Sequence, residues 1–318
     1  MLMITRVLSS LLLVRAASGV IVPRIACVGE TLYDSLPKGL FLGGAPLNAA
    51  VHAAALGATA SLVSAVGDDV VGRDAVRRLR EAGVDTSCVQ TVNKPTGFVT
   101  CVVDKGGDAG YEFETPAAWD FVRATEDVRA AVAKADAVVH GSLALRGENS
   151  EVHRILAAAP KRVFDVNLRP PYVDRERIEP LLRDCWVLKM NEEEARQVAT
   201  WVVPDKAPKG LRGLCDALCA ELRPEFLVVT LAEKGAVMLH RSDVFYEAQG
   251  TIVDVIDTVG AGDAFTARLV VGLQAGDDAH ETLRAAARLG SWVATKEGAT
   301  PSHDDAFLDA SCLWRQPA

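Results

Sequence analysis

No stretch of the chain reads G-x-x-x-x-G-K-[ST], and its first strand does not run into G-x-G-x-x-G. A P-loop nucleotidase and a dinucleotide-binding Rossmann site are both disfavoured on that ground. G-x-S-x-G and H-E-x-x-H are missing too, which removes the hydrolase nucleophile elbow and the zincin pair. There is no basic run and no interleaving of basic with aromatic residues. With a formal charge of −8 and a pI near 5.4, neither nucleic acid nor an anionic membrane is expected as a partner. No hydrophobic run is long enough to span a bilayer. The 7 cysteines are odd in number and sit mostly in apolar segments such as Ile25-Ala26-Cys27-Val28, the usage of reduced, buried thiols. Cys215 and Cys219 would share a helix face, but no His–Cys set completes a zinc site around them.

Acidic residues are absent before Glu30, whereas Arg6, Arg15 and Arg24 are present. Val7 to Val14 is a short run with two serines inside, followed by Ala16-Ala17-Ser18-Gly19. This is compatible with a signal-peptide core, with an acid-free transit peptide, or with a mere extension. Residues 1–24 are therefore set apart from the fold, and residues 25–318 are taken as one domain. The expected compartment is cytoplasmic, or a plastid or mitochondrion if the extension is a cleaved targeting segment.

What is present is an alternation of β-branched runs and amphipathic stretches. Strands are expected over Ile25–Val28, Ser61–Val66, Ala137–His140, Arg162–Asn167, Cys185–Met190, Phe226–Leu231 and Ala236–His240. Helices are expected after Pro46, after Asp69, over Ser150–Ala159, from Asn191, over Leu214–Leu222, from Asp263 and from Asp278. Such an order implies an α/β fold with a mostly parallel sheet covered on both faces. The hairpin Thr96–Phe113, turning at Lys105-Gly106-Gly107-Asp108, interrupts the alternation. It predicts a small added β-sheet, formed from about 31–42 and 95–115.

One stretch concentrates chemistry. Thr251–Ile256 reads as a strand, Asp257-Thr258-Val259-Gly260-Ala261-Gly262-Asp263 as a sharp turn, and Phe265, Leu269, Val270 and Leu273 as a helix face. Unpaired N–H groups and the macrodipole at a helix start favour a phosphate, and glycines let it approach the backbone. An aspartate there, rather than a lysine, points to a base acting on an attacking group. By itself the pattern equally describes a glycine turn with a capping aspartate.

Four motifs in order decide between these readings. Gly43-Gly44-Ala45-Pro46-Leu47-Asn48, Val66-Gly67-Asp68-Asp69, Asn191-Glu192-Glu193-Glu194 and Asp257 to Asp263 resemble the signatures of the ribokinase-like (PfkB) sugar kinases, over Ile25 to Ser302. Asp165-Val166-Asn167-Leu168-Arg169-Pro170-Pro171 and Leu188-Lys189-Met190-Asn191 most resemble fructokinases, with 2-keto-3-deoxygluconate kinases close behind.

The resemblance implies a three-layer fold with a β-sheet lid and an ATP- and Mg²⁺-dependent transfer to a primary sugar hydroxyl. It implies Asp263 as base, and Gly260, Ala261 and Gly262 as an anion hole. Asp34, Gly43, Gly44, Asn48, Phe113 and Arg169 would meet the sugar, with Tyr111 beside Phe113 in the hairpin. Asn191 and Glu194 would hold Mg²⁺, mostly through water. Asn191, Thr230, Ala232 and Gly235 would meet the nucleotide. The segment Thr230-Leu231-Ala232-Glu233-Lys234-Gly235 resembles a loop that normally carries glycine where Ala232 stands. Asp257, Val259, Gly298 and Ser302 are the candidates for a monovalent cation such as K⁺. A homodimer through the lid and a catalytically idle scaffold are the remaining expectations. Asp263, both glycines of its turn and the Asn191-x-x-Glu194 spacing are intact, which argues against the idle scaffold.

Overall fold

The structure is a computed structural model and describes residues 22–36, 39–103, 109–146, 151–204 and 210–303. Among these, thirteen strands form two sheets. Strands β1 (Arg24–Val28), β4 (Thr59–Gly67), β5 (Val89–Val92), β8 (Ala137–His140), β9 (Arg162–Asp165), β10 (Val187–Asn191), β11 (Phe226–Thr230), β12 (Gly235–His240) and β13 (Phe245–Gln249) make the large sheet. Its order is β13-β12-β11-β10-β9-β8-β1-β4-β5, parallel except where β12 runs antiparallel to β11 and β13. The second sheet, in order β3-β2-β6-β7, consists of β2 (Leu32–Leu36), β3 (Gly39–Gly43), β6 (Gly97–Val103) and β7 (Ala109–Phe113). It is mixed, since β2 pairs antiparallel with β3 but parallel with β6.

Period-two alternation sends successive side chains of the large sheet to opposite faces. Ile25, Cys27, Leu62, Val163, Val187 and Val228 pack under α1 (Ala45–Ala55), α2 (Val70–Glu81), α8 (Ala261–Ala275) and α9 (Ala279–Ala294). Val28, Val63, Phe164, Leu188, Met190 and Leu227 pack on the other face. There they meet α3 (Glu126–Lys134), α4 (Glu151–Leu156), α5 (Arg175–Leu182), α6 (Glu192–Val202) and α7 (Leu211–Leu222). The result is the α/β sandwich expected, with the small sheet attached. Cys215 is buried within that second layer.

The expected strand at Thr251–Ile256 does not form. The chain leaves the sheet edge after β13 and finds no strand to pair with. Ile252, Val255 and Ile256 stand 97%, 61% and 61% exposed. The backbone N–H groups of Ile256 and Asp257 instead bond Ala294 O, at the end of α9. β5, β13, α3 and α5 are elements that the sequence pattern did not announce. The turn around Lys105 and the side chain of Tyr111 lie outside the described residues, as do 1–21.

Candidate active site

The carboxyl ends of β9 and β10, the segment after β1, the start of α1 and the start of α8 converge beside the small sheet. Between them lies a cavity of about 530 Å³. The turn before α8 is held from below: Asp257 Oδ1 accepts from Val259 N (2.9 Å) and Oδ2 from Gly298 N (3.1 Å). Gly260 then adopts φ 79°, and a Cβ there would lie 2.5 Å from Ala299 Cα. Only glycine satisfies both conditions. Ala261 N–H turns back to Thr258 O at 3.3 Å. The next two N–H groups, of Gly262 and Asp263, are first-turn donors with no partner among the described residues, and so remain open to an anion.

Asp263 faces the cavity from that first turn. Asn48, buried in α1, donates Nδ2 to Asp263 Oδ2 at 2.8 Å. Burial pushes the Asp263 carboxyl up to about 7, the Asn48 hydrogen bond opposing it, Asp165 adding to it and Lys189 opposing it. A carboxylate at that value can take a proton at neutral pH and lose it again. Asp34, on β2, is raised to about 6, first by burial and then by Asp257. Gly43 lies directly behind it, where a Cβ would sit 2.6 Å from Asp34 Oδ2. Gly44, at φ 113°, leaves no room for a Cβ against Glu30 O.

The cavity thus gathers Asp34, Gly44, Asn48, Phe113, Arg169, Val259, Gly260, Gly262 and Asp263 from distant parts of the chain. Asn191, Glu194, Thr230, Ala232 and Gly235 do not line it. They sit at the adjoining strand ends, with Asn191 beside Thr230 in the β10–β11 register. Asn191 Oδ1 accepts from Glu194 N (2.8 Å), and Glu194 Oε2 from Asn191 N (2.9 Å), a complete capping box. Glu194 Oε1 takes Leu168 N at 2.8 Å, and burial raises this carboxyl above its ordinary range. Ala232 does adopt φ 52°, the left-handed conformation that costs a non-glycine residue about 1 kcal/mol. Ser302 lines a second cavity, with Arg78 and Leu79.

Three charged residues of the cavity were given no role by sequence reasoning: Lys189, Asp165 and Glu30. Lys189, on β10, lies opposite Asp165, on β9; its Nζ contacts both carboxylate oxygens at 3.0 and 2.8 Å, with both residues buried. Thr266 of α8 donates to the same carboxylate at 2.8 Å. Burial opposes the lysine's charge, but Asp165, joined by Glu194 and Asp263, more than offsets it, and its pKa is raised. The signal was available, since each charge interrupts an apolar strand at a position facing the core. Glu30 is the third: 3% exposed, it accepts from Ala45 N at 3.1 Å through Oε1, while Oε2 has no partner among the described residues.

Residues 38–306 match the model of the pfkB family of carbohydrate kinases. The chain belongs to this family. As a pfkB carbohydrate kinase it is 32% identical over 308 residues to the fructokinase of Escherichia coli, covering 87% of this chain and 94% of that one. It is 29% identical over 316 residues to fructokinase-1 of Zea mays, again covering 87% and 94%. The crystal structure of the Xylella fastidiosa fructokinase with bound ATP superposes with a TM-score of 0.76 at 25% identity, over 91% of this chain and 97% of that one.

Proposed function

We propose that this carbohydrate kinase is a fructokinase, transferring the γ-phosphoryl group of ATP to the primary hydroxyl of fructose to give fructose 6-phosphate. The observation that carries the reading is Asp263, raised to about 7 and oriented by Asn48 on the first turn of α8. Asp263 takes the hydroxyl proton as oxygen attacks phosphorus, and the open N–H groups at the start of α8, those of Gly262 and Asp263, receive the developing charge. Asp34, Gly43, Gly44, Asn48, Phe113 and Arg169 hold the sugar, the Asp34 carboxylate accepting two hydroxyls. Thr230, Ala232 and Gly235 form the nucleotide loop beside Asn191. The relatives' fructokinase names and the ATP of the Xylella fastidiosa structure support the donor and acceptor classes.

Among the described residues, no three His, Cys, Asp or Glu side chains converge on a metal position. That suits Mg²⁺ carried by the nucleotide phosphates and reached by Asn191 and Glu194 through water, because their oxygens already accept backbone N–H groups. Such an ion supplies charge neutralisation to the phosphoryl group. For a monovalent cation the ligands would be backbone carbonyls near Asp257 and Val259 with the Gly298 segment, which the Asp257 carboxylate ties together through Val259 N and Gly298 N. The body of the kinase is residues 25–318, with the small sheet as lid. Arg169 in the cavity wall also favours a second acceptor, 2-keto-3-deoxygluconate, whose carboxylate it would meet.

The test is sugar-dependent ADP release over a panel containing both acceptors, comparing wild type with Asp263→Asn. Wild type is expected to use fructose, and the variant to lose about 10²–10⁴-fold in kcat. Absence of turnover on every sugar sinks the reading, and preference for the keto-acid replaces fructose with it.

A further inference from the structure

Arg146 lies outside the described chemistry, yet it gathers an unusual set of partners for a buried residue. It is 5% exposed and follows the short 3-10 turn Leu143–Leu145. Its guanidinium makes two bonds to Asp120, Nε to Oδ1 at 2.7 Å and Nη2 to Oδ2 at 2.9 Å. Nη2 also donates to Glu114 O at 3.0 Å. Its plane is enclosed by aromatic rings: Trp119 at 3.7 Å, Tyr172 at 5.2 Å and Phe113 at 6.0 Å.

These partners are the roots of the small sheet. Phe113 ends β7, and Glu114 follows it. β6 begins at Gly97, where a Cβ would lie 2.7 Å from Trp119 Nε1, so that strand is seated on the indole. Phe113 meets Tyr172 edge-on at 5.7 Å, and the Tyr172 hydroxyl donates to Phe113 O at 3.4 Å. Tyr172 N–H in turn bonds Arg169 O at 2.8 Å. One guanidinium therefore ties the base of the small sheet to the segment carrying Arg169. Both Phe113 and Arg169 line the cavity, and Arg146 does not.

A buried ion pair is a weak device for stability, because apolar residues of similar volume hold a core as well or better. Its strength is geometric: a planar fork bonded to a carboxylate and stacked on rings fixes orientation as a lysine or an alkyl chain does not. We propose that Arg146 is a positioning and specificity-determining residue, acting through Phe113 and Arg169 to shape the sugar side of the cavity. The inference rests on the sugar-kinase reading of the same cavity.

The experiment measures KM for fructose and for ATP, with kcat, in wild type, Arg146→Gln, Phe113→Ala, the double variant and Tyr172→Phe. Arg146→Gln is expected to raise the fructose KM about tenfold and leave the ATP KM within about twofold. Phe113→Ala is expected to do the same, and the double variant to be no worse than the poorer single, because one residue acts through the other. Tyr172→Phe, which removes one hydroxyl and preserves the packing, should raise the fructose KM about two- to threefold. If Arg146→Gln does not fold, the Tyr172→Phe and Phe113→Ala cycle decides by the same criterion. Equal rises in both KM values, or additive effects in the cycle, overturn the proposal. A wild type that turns over no sugar means instead that the functional reading has failed. An active wild type with an unmoved fructose KM in Arg146→Gln defeats this inference alone.

Discussion

At the scale of the residue, the site depends on how one carboxyl is solvated. Asp263 is raised to about 7 by burial, and Asn48 and Lys189 keep it from rising further. Its raised value favours the neutral acid in the folded state. That contribution to stability is complete below the ordinary carboxylate pKa of about 4 and is lost as pH rises through about 7. As the proposed base Asp263 must be ionised, so activity is expected to have the opposite dependence. kcat/KM is therefore expected to fall on the acid side with an apparent pKa near 7, measured across a pH series with fructose as acceptor. Asp263→Asn, almost inactive, is expected to be more stable than wild type at pH 8, on the order of 1 kcal/mol after allowance for solvent at the cavity mouth, and equal to it near pH 4. Urea denaturation at the two pH values checks this; an equal difference at both would mean the carboxyl is not raised. The aspartate itself was legible in its motif. Its pKa was not, because the groups that set it come from β9, β10 and α1.

At the scale of the element, turns and caps carry the site, and their glycines explain why the motifs were readable. Gly260 is fixed by φ and by contact with Ala299, so a short local pattern reveals it. The loop between β11 and β12 tests the same reasoning in reverse. Ala232 occupies a left-handed conformation, φ 52°, in the position where the resembling loops carry glycine. Ala232→Gly is expected to add about 0.5–1 kcal/mol of stability, less what the freer unfolded chain takes back, and to lower the ATP KM. Denaturant midpoints and initial rates measure the two effects separately. Asn191 and Glu194 show the limit of spacing arguments. Spacing at i and i+3 on a helix start favours a capped turn, and only the family resemblance points to a water-mediated ion site; the structure contains the capping box in full. The failed strand at Thr251–Ile256 belongs here too. Its residues have the right preference, but a strand needs a neighbour, and β13 already ends the sheet.

At the scale of the whole molecule, the cavity exists only where the nine-stranded and four-stranded sheets meet. No helix among the described residues is long and apolar enough to cross a membrane. A ligand bridging the two sheets stabilises the folded state by mass action. Fructose at a hundred times its Kd is expected to add about 2.7 kcal/mol, visible as a rise in Tm that a non-substrate sugar does not produce. An unchanged Tm with fructose, alongside a rise with 2-keto-3-deoxygluconate, would reassign the acceptor. The sequence by itself determined the alternating α/β order, the appended sheet, the glycine turn with Asp263 and the family motifs. These are local patterns, set by side-chain periodicity and by conformations that only glycine tolerates. Tertiary structure decided the rest: the Lys189–Asp165 pair across neighbouring strands, the burial of Glu30, the place of Ser302 in a second cavity, and the aromatic enclosure of Arg146. Each joins residues from separate elements, and strand register and packing, which bring them together, are properties of the folded chain.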